Sequence, residues 1–217
     1  MRAPRVDVFV DGFNLEFGAM RPFGVHWLDL RTMARRVLPG RFGEIASVSL
    51  YTAPLLDRPG RERVSTRHGL WLRACRSFAG IGVVLGHHVR QPRLLPRLSG
   101  EGREGPLVEV LQTIEKASDV NLAVDLVDRA HRGRLDGAAV ISNDGDLARA
   151  VAVVSRDLGL PVIVVNPQRG RQSRSLAAVA SAVRTLRRSD LVGSQLPERI
   201  ESSGETIHRP PPWWAGA

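Results

Sequence analysis

The stretch VDVFVDGFN, residues 6–14, carries the first structural signal of the chain. Its apolar run at 6–10 reads as a buried strand, and Asp11-Gly12 ends that strand with a turn signal. A second run, GAAVIS at 137–142, stops in the same way at Asn143-Asp144-Gly145-Asp146, which opens a helix to about residue 158. Further strands are expected at 45–53, 81–89 and 162–166, and helices at 28–38, 60–78, 118–132 and 175–188. The apolar stripe of helix 118–132 is assigned to Val120, Ala123, Val124, Val127 and Ala130. Residues 107–114 look extended. The Pro-, Arg- and Gly-rich stretch 90–106 reads as a flexible flap near the substrate path. Beyond Gly193 the chain looks irregular, giving one domain over 1–193 and a tail over 194–217. Strands alternating with helices imply an α/β fold with a mostly parallel sheet covered on both faces. Ligand chemistry in such sheets sits outside the C-terminal strand ends, where strand order reverses. Asp11, Asp144 and Asp146 all fall at such ends.

The chain has 217 residues, 43% of them hydrophobic, and one cysteine, Cys75. An internal disulfide framework is therefore excluded, and a cytoplasmic address is the simplest expectation. No apolar run is long enough to span a membrane, and MRAPRVDVFV does not read as a secretory signal. A net charge of +9 favours a polyanionic partner, nucleic acid being the commonest. Residues 58–103 hold ten arginines against Glu62 and Glu101, whereas 107–157 holds nine acids against six bases. An acidic centre between basic arms suits phosphodiester cleavage, with carboxylates for metal and guanidinium groups for phosphate. Arginine richness also follows from solvated faces alone. Lys116 is the only lysine, which hints at a site needing a compact point charge. A homodimer is compatible with the sequence, though no feature demands one.

Hard divalent cations want oxygen ligands, and Mg²⁺ often takes one or two carboxylates plus water and substrate phosphate. Asp11, Asp119, Asp144 and Asp146 suit that role. Each also has a plainer use: Asp11 in a turn, Asp119 in the first turn of a helix, and Ser142, Asn143 or Asp144 as helix caps. Asn14 either caps or orients a water. Asp125 lies off the assigned stripe. His87-His88 has no zinc-like neighbours, Cys75 sits on an apolar helix face, and Ser142 lacks a histidine partner for a hydrolase triad. Phe13, Phe17 and Trp27 could stack bases, but core packing is their commoner use.

VDVFVDGFNLEFGAM resembles the opening strand and D-x-x-N element of the NYN family, a branch of the PIN-like nucleases. IEKASDVNLAVDLV is similar to that family's E-K-x-x-D-V-x-L-A-x-D run, with Glu115, Lys116, Asp119 and Asp125 on matching positions. AAVISNDGDLARAV resembles its S-x-D-x-D element and supplies Ser142, Asp144 and Asp146. The resemblance extends over about residues 5–197, and Ile114 departs from the polar neighbour expected there. It implies a three-layer α/β/α sandwich, with the first and fourth strands of a parallel sheet adjacent. It also implies Mg²⁺- or Mn²⁺-dependent cleavage of RNA. On that reading Asp11, Asp119, Asp144 and Asp146 hold metal, Asn14 and Ser142 position them, and Lys116 meets a phosphate or tethers a carboxylate. Arg169, Arg171 and Arg174 are then the expected RNA-backbone contacts. The rivals are a non-catalytic RNA-binding module on the same fold and a small-molecule phosphohydrolase.

Overall fold

The computed structural model describes residues 3–60, 62–98, 104–168, 170, 172–202 and 204–211. Strand β1 (Arg5–Asp11) leads into α1 (Gly12–Leu15), which continues through a wider π turn (Glu16–Met20) into α2 (Arg21–Phe23). Then come α3 (Leu30–Val37), β2 (Glu44–Thr52), α4 (Val64–Ala79) and β3 (Gly82–Leu85). A long pair of strands follows, β4 (His87–Leu98) and β5 (Glu104–Lys116), and then α5 (Ser118–His131) and β6 (Gly137–Ile141). A 3-10 turn (Gly145–Leu147) opens α6 (Ala148–Ala152), which ends in a second π turn (Val153–Asp157). The chain finishes with β7 (Val162–Asn166), α7 (Arg174–Val179), β8 (Ala182–Thr185), α8 (Arg188–Val192), β9 (Arg199–Ser202) and β10 (Glu205–His208).

The central sheet has six strands in the order β3-β2-β1-β6-β7-β8, every neighbouring pair parallel. Side chains of β1 alternate between its two faces. Val6, Val8 and Val10 enter one core with residues of α3, α4 and α8, while Phe9 enters the other with Leu122, Leu126 and Ala130 of α5. Helices thus cover both faces, as the alternation of elements predicts. Strand order reverses between β1 and β6, which makes the space beyond their C-terminal ends the natural ligand crevice.

Four local expectations need correction. The buried stripe of α5 is Leu122, Leu126 and Ala130, whereas Val120 and Val124 are 66% and 59% exposed. That helix carries apolar residues on two faces, so periodicity alone does not say which one meets the sheet. Residues 90–106 are not a simple flap. His87 pairs with Lys116 and the ladder runs on to Leu98 opposite Glu104, forming an antiparallel ribbon apart from the central sheet. Pro92 and Pro96 are tolerated there because both strands of a two-stranded ribbon are edges. The helix expected over 175–188 is divided into α7, β8 and α8, since pairing of Ala182–Thr185 with β7 overrides local helix preference. Finally, β9 and β10 of the tail pair antiparallel, and Ile200 and Ile207 join the core. Among the described residues no helix is long and apolar enough to cross a membrane.

Candidate active site

Parallel pairing of β1 with β6 places Val10 beside Ile141, so the residues that follow, Asp11 and Ser142, leave the sheet side by side. Asp11 is only 2% exposed. Its Oδ1 accepts the Asn14 backbone N–H (2.9 Å), and its Oδ2 accepts from Asn14 Nδ2 (2.8 Å) and Ser142 Oγ (2.8 Å). The Ser142 hydroxyl in turn accepts the Asp144 N–H at 3.0 Å, and Asp144 Oδ1 accepts the Asp146 N–H at 3.0 Å. One chain of hydrogen bonds therefore ties both strand ends together. Close approach at the turn requires glycine: a Cβ on Gly12 would lie 2.6 Å from Thr52 Cβ and 2.9 Å from the Tyr51 carbonyl oxygen.

Helix α5 delivers the remaining acid. Ten residues of helix rise about 15 Å, and four residues of strand about 13 Å, so a helix crossing antiparallel to β1 sets Asp119 near Asp11 and Arg129 near Asp7. Arg129 does pair with Asp7, at 3.2 Å. Burial first, then the charges of Asp11, Asp144, Glu115 and Asp146, push the Asp119 carboxyl up to about 6. Burial likewise raises Asp11, partly offset by its hydrogen bonds from Asn14 and Ser142, and the charge of Asp144 adds to the rise. Among the described residues no ion pair reaches Asp11, Asp119, Asp144 or Asp146. The entry to α5 is fixed by Glu115, whose Oε1 accepts from Ser118 N (3.1 Å) and Oγ (2.7 Å), with Ala117 in the left-handed region at φ 82°.

Asp11, Asp144 and Asp146 thus stand near enough to Asp119 for their charges to act on it, but the four acids do not form a finished cage. Among the described residues no three His, Cys, Asp or Glu side chains stand close enough to hold a metal ion together. Lys116, at the end of β5, is exposed and makes no ion pair with a described residue, so it tethers no carboxylate here. Arg174 starts α7, behind its cap Ser173, whereas Arg169 and Arg171 lie outside the described residues. Asp125, read as off the packed face, is half-buried and accepts the Tyr51 hydroxyl at 2.8 Å. Trp27 is core, its Nε1 donating to the Pro197 carbonyl (2.7 Å). Two site-shaping residues escape sequence reasoning. Gln168 donates to Asn14 Oδ1 at 2.9 Å, and Asn143 donates to Gln168 Oε1 at 3.0 Å while accepting the Ser173 N–H at 2.7 Å. Only their position just beyond β7 and β6, at the same sheet edge, could have flagged them.

An all-parallel α/β sheet with an acidic crevice at its switch point defines the class of protein. The sequence matches the NYN domain over residues 5–187, and the chain belongs to that family, whose members are generally PIN-like nucleases. It is also similar to the 6-hydroxy-3-succinoylpyridine 3-monooxygenase HspA of Pseudomonas putida, at 26% identity over 238 residues, covering 97% of this chain and 75% of that protein. Among solved structures, a Vibrio parahaemolyticus protein of unknown function, VPA0982, superposes with a TM-score of 0.52 at 18% identity, covering 90% of this chain and 98% of that one. That likeness concerns the fold.

Proposed function

We propose that this protein is a ribonuclease that hydrolyses RNA phosphodiester bonds at a Mg²⁺- or Mn²⁺-dependent site. The observation that carries the reading is the meeting of Asp11 and Asp144 beyond neighbouring strands, with Asp119 raised by burial and by their charge and no ion pair to any of them among the described residues. Like charges gathered under burial are unfavourable until a cation screens them. Among the described residues no three side chains close a cage, so the ion this reading calls for is a hard divalent one that takes one or two carboxylates and keeps its waters. Asp11 and Asp144 would hold it, with Asp119 and Asp146 acting directly or through water. When bound, such an ion supplies Lewis acidity toward water and the scissile phosphate.

The chain's own groups do the rest. Three hydrogen bonds lock the Asp11 carboxylate in one rotamer, and the Ser142 hydroxyl couples its position to that of Asp144. Asn14 is held by Gln168 and by the Asn143 N–H, so its amide stays aimed at Asp11. Arg174, Arg169 and Arg171 would bind RNA backbone. The experiment is digestion of end-labelled RNA with and without Mn²⁺, beside the Asp144→Asn variant. Cleavage should vanish with EDTA, return with Mn²⁺ and be lost in the variant. Full activity of Asp144→Asn would sink the assignment, and salt-sensitive binding without any cleavage would leave an RNA-binding module.

The likeness to HspA favours a second reading, an enzyme acting on a hydroxylated pyridine. Oxygen uptake with 6-hydroxy-3-succinoylpyridine and a reduced nicotinamide, in the absence of RNA cleavage, would establish it.

A further inference from the structure

Beside the acidic crevice lies a pocket of about 220 Å³ that the chemistry above does not use. It is smaller than the roughly 300–1,000 Å³ of drug-sized ligand sites, which leaves room for a single ring system. Its walls come from four places: the helical stretch after Asp11 with Phe13 and Phe17, the loop after β2 with Arg58, the start of α4 with Val64, and the ribbon with His88 and Glu115.

The aromatic groups are ordered. Phe13 and Phe17, four residues apart on one helical face, stack with centroids 5.8 Å apart and planes within 16°. His88 meets Phe13 edge-on at 6.3 Å, its Nε2 2.8 Å from the Pro54 carbonyl oxygen. The Arg21 guanidinium sits 4.5 Å from the Phe17 centroid. Phe17 remains 47% exposed, unlike the core aromatic Trp27. Aromatic faces beside arginines suit a flat, electron-rich ring attached to an anion. Glu115 belongs to both places: it lines the pocket, and its charge reaches Asp119.

We propose that this pocket is a nucleobase subsite, one base of a single-stranded RNA lying against Phe13 and Phe17 with its phosphate facing Arg58. The proposal rests on the ribonuclease reading, and its test separates the two. Binding of labelled hexauridine, and of a ribose-phosphate hexamer lacking bases, is measured by anisotropy in EDTA for the full chain and for Phe17→Ala and Phe17→Trp. Phe17→Ala should weaken hexauridine by about 5- to 100-fold, leave the abasic strand unchanged, and be rescued by Phe17→Trp. Equal loss on both strands, or no loss, would overturn the subsite. Cleavage in Mn²⁺ is scored separately. Base-dependent binding without cleavage keeps the subsite and removes the nuclease, whereas cleavage without base dependence removes the subsite alone. Displacement of hexauridine by 6-hydroxy-3-succinoylpyridine at low concentration would assign the pocket to a small-molecule ring and overturn the nucleobase as its occupant.

Discussion

Asp7 and Asp11 lie four residues apart on β1, on the same face, and are 5% and 2% exposed, yet they live in opposite electrostatic settings. Asp7 has a counter-charge. Arg129 reaches it at 3.2 Å, spends its other N–H groups on Ser47 (3.1 Å) and Ser49 (3.2 Å), and lies over the Phe9 ring at 5.4 Å. Asp11 has hydrogen-bond donors but no ion pair among the described residues, and its neighbours Asp119 and Asp144 are acids. Carboxylates buried alike on one strand are thus a structural ion pair at one end and a hydrogen-bonded acid among further acids at the other. A buried acid amid further acids is costly to folding, and such clusters gather at functional sites.

The sharpest way to break this comparison is to neutralise each acid in turn. Asp11→Asn should reduce Mn²⁺-dependent RNA cleavage by more than the roughly 10- to 100-fold that loss of an outer-sphere partner costs, while Asp7→Asn keeps the activity of whatever fraction stays folded. Stability should move the other way. Asp7→Asn strands Arg129 and should cost about 2–4 kcal/mol in urea denaturation, somewhat under a fully buried pair because Arg129 is partly exposed. Asp11→Asn, which sets an NH2 against one of three donors but removes a charge from among acids, should cost less than Asp7→Asn at pH 7. A large loss of stability in Asp11→Asn, with none in Asp7→Asn, would invert the assignment.

A gentler test uses pH. The Asp119 carboxyl is raised from 3.8 to about 6, so the folded chain prefers it protonated. Its contribution to stability is therefore complete below about pH 4 and lost as pH rises through about 6. In EDTA, Asp119→Asn should flatten the decline in denaturation midpoint across that window, and Asp7→Asn should not. Mn²⁺ should stabilise the parent more at pH 7 than at pH 5; an equal effect at both would argue against binding to these acids.

The smallest effect concerns the neighbour that links the two ends. Tyr51→Phe removes the hydrogen bond to Asp125 and should cost about 1 kcal/mol while leaving cleavage intact. Reduced cleavage in that variant would extend the functional region along α5.

Much of this was legible in the residues. Apolar runs closed by Asp-Gly and Asn-Asp-Gly-Asp mark strands whose C-terminal ends carry acids, and alternation with helices makes those strands parallel. These are short-range signals, readable because backbone geometry repeats every two or 3.6 residues. The same signals misassigned the packed face of α5, since Val120 and Val124 satisfy helical spacing as well as Leu122 and Leu126 do. They also left 90–106 without structure, because a ribbon's ladder joins residues far apart in the chain.

Position along a strand says that Asp7 and Asp11 are both buried on one face; it does not say which has a counter-charge. That depends on Arg129, 122 residues beyond Asp7, and on α5 crossing β1 with its acidic start over one carboxylate and its basic end over the other. Periodicity belongs to the local chain, whereas charge compensation is a property of groups that meet only in space, so which of the two carboxylates has a counter-charge is decided only once the helix is docked.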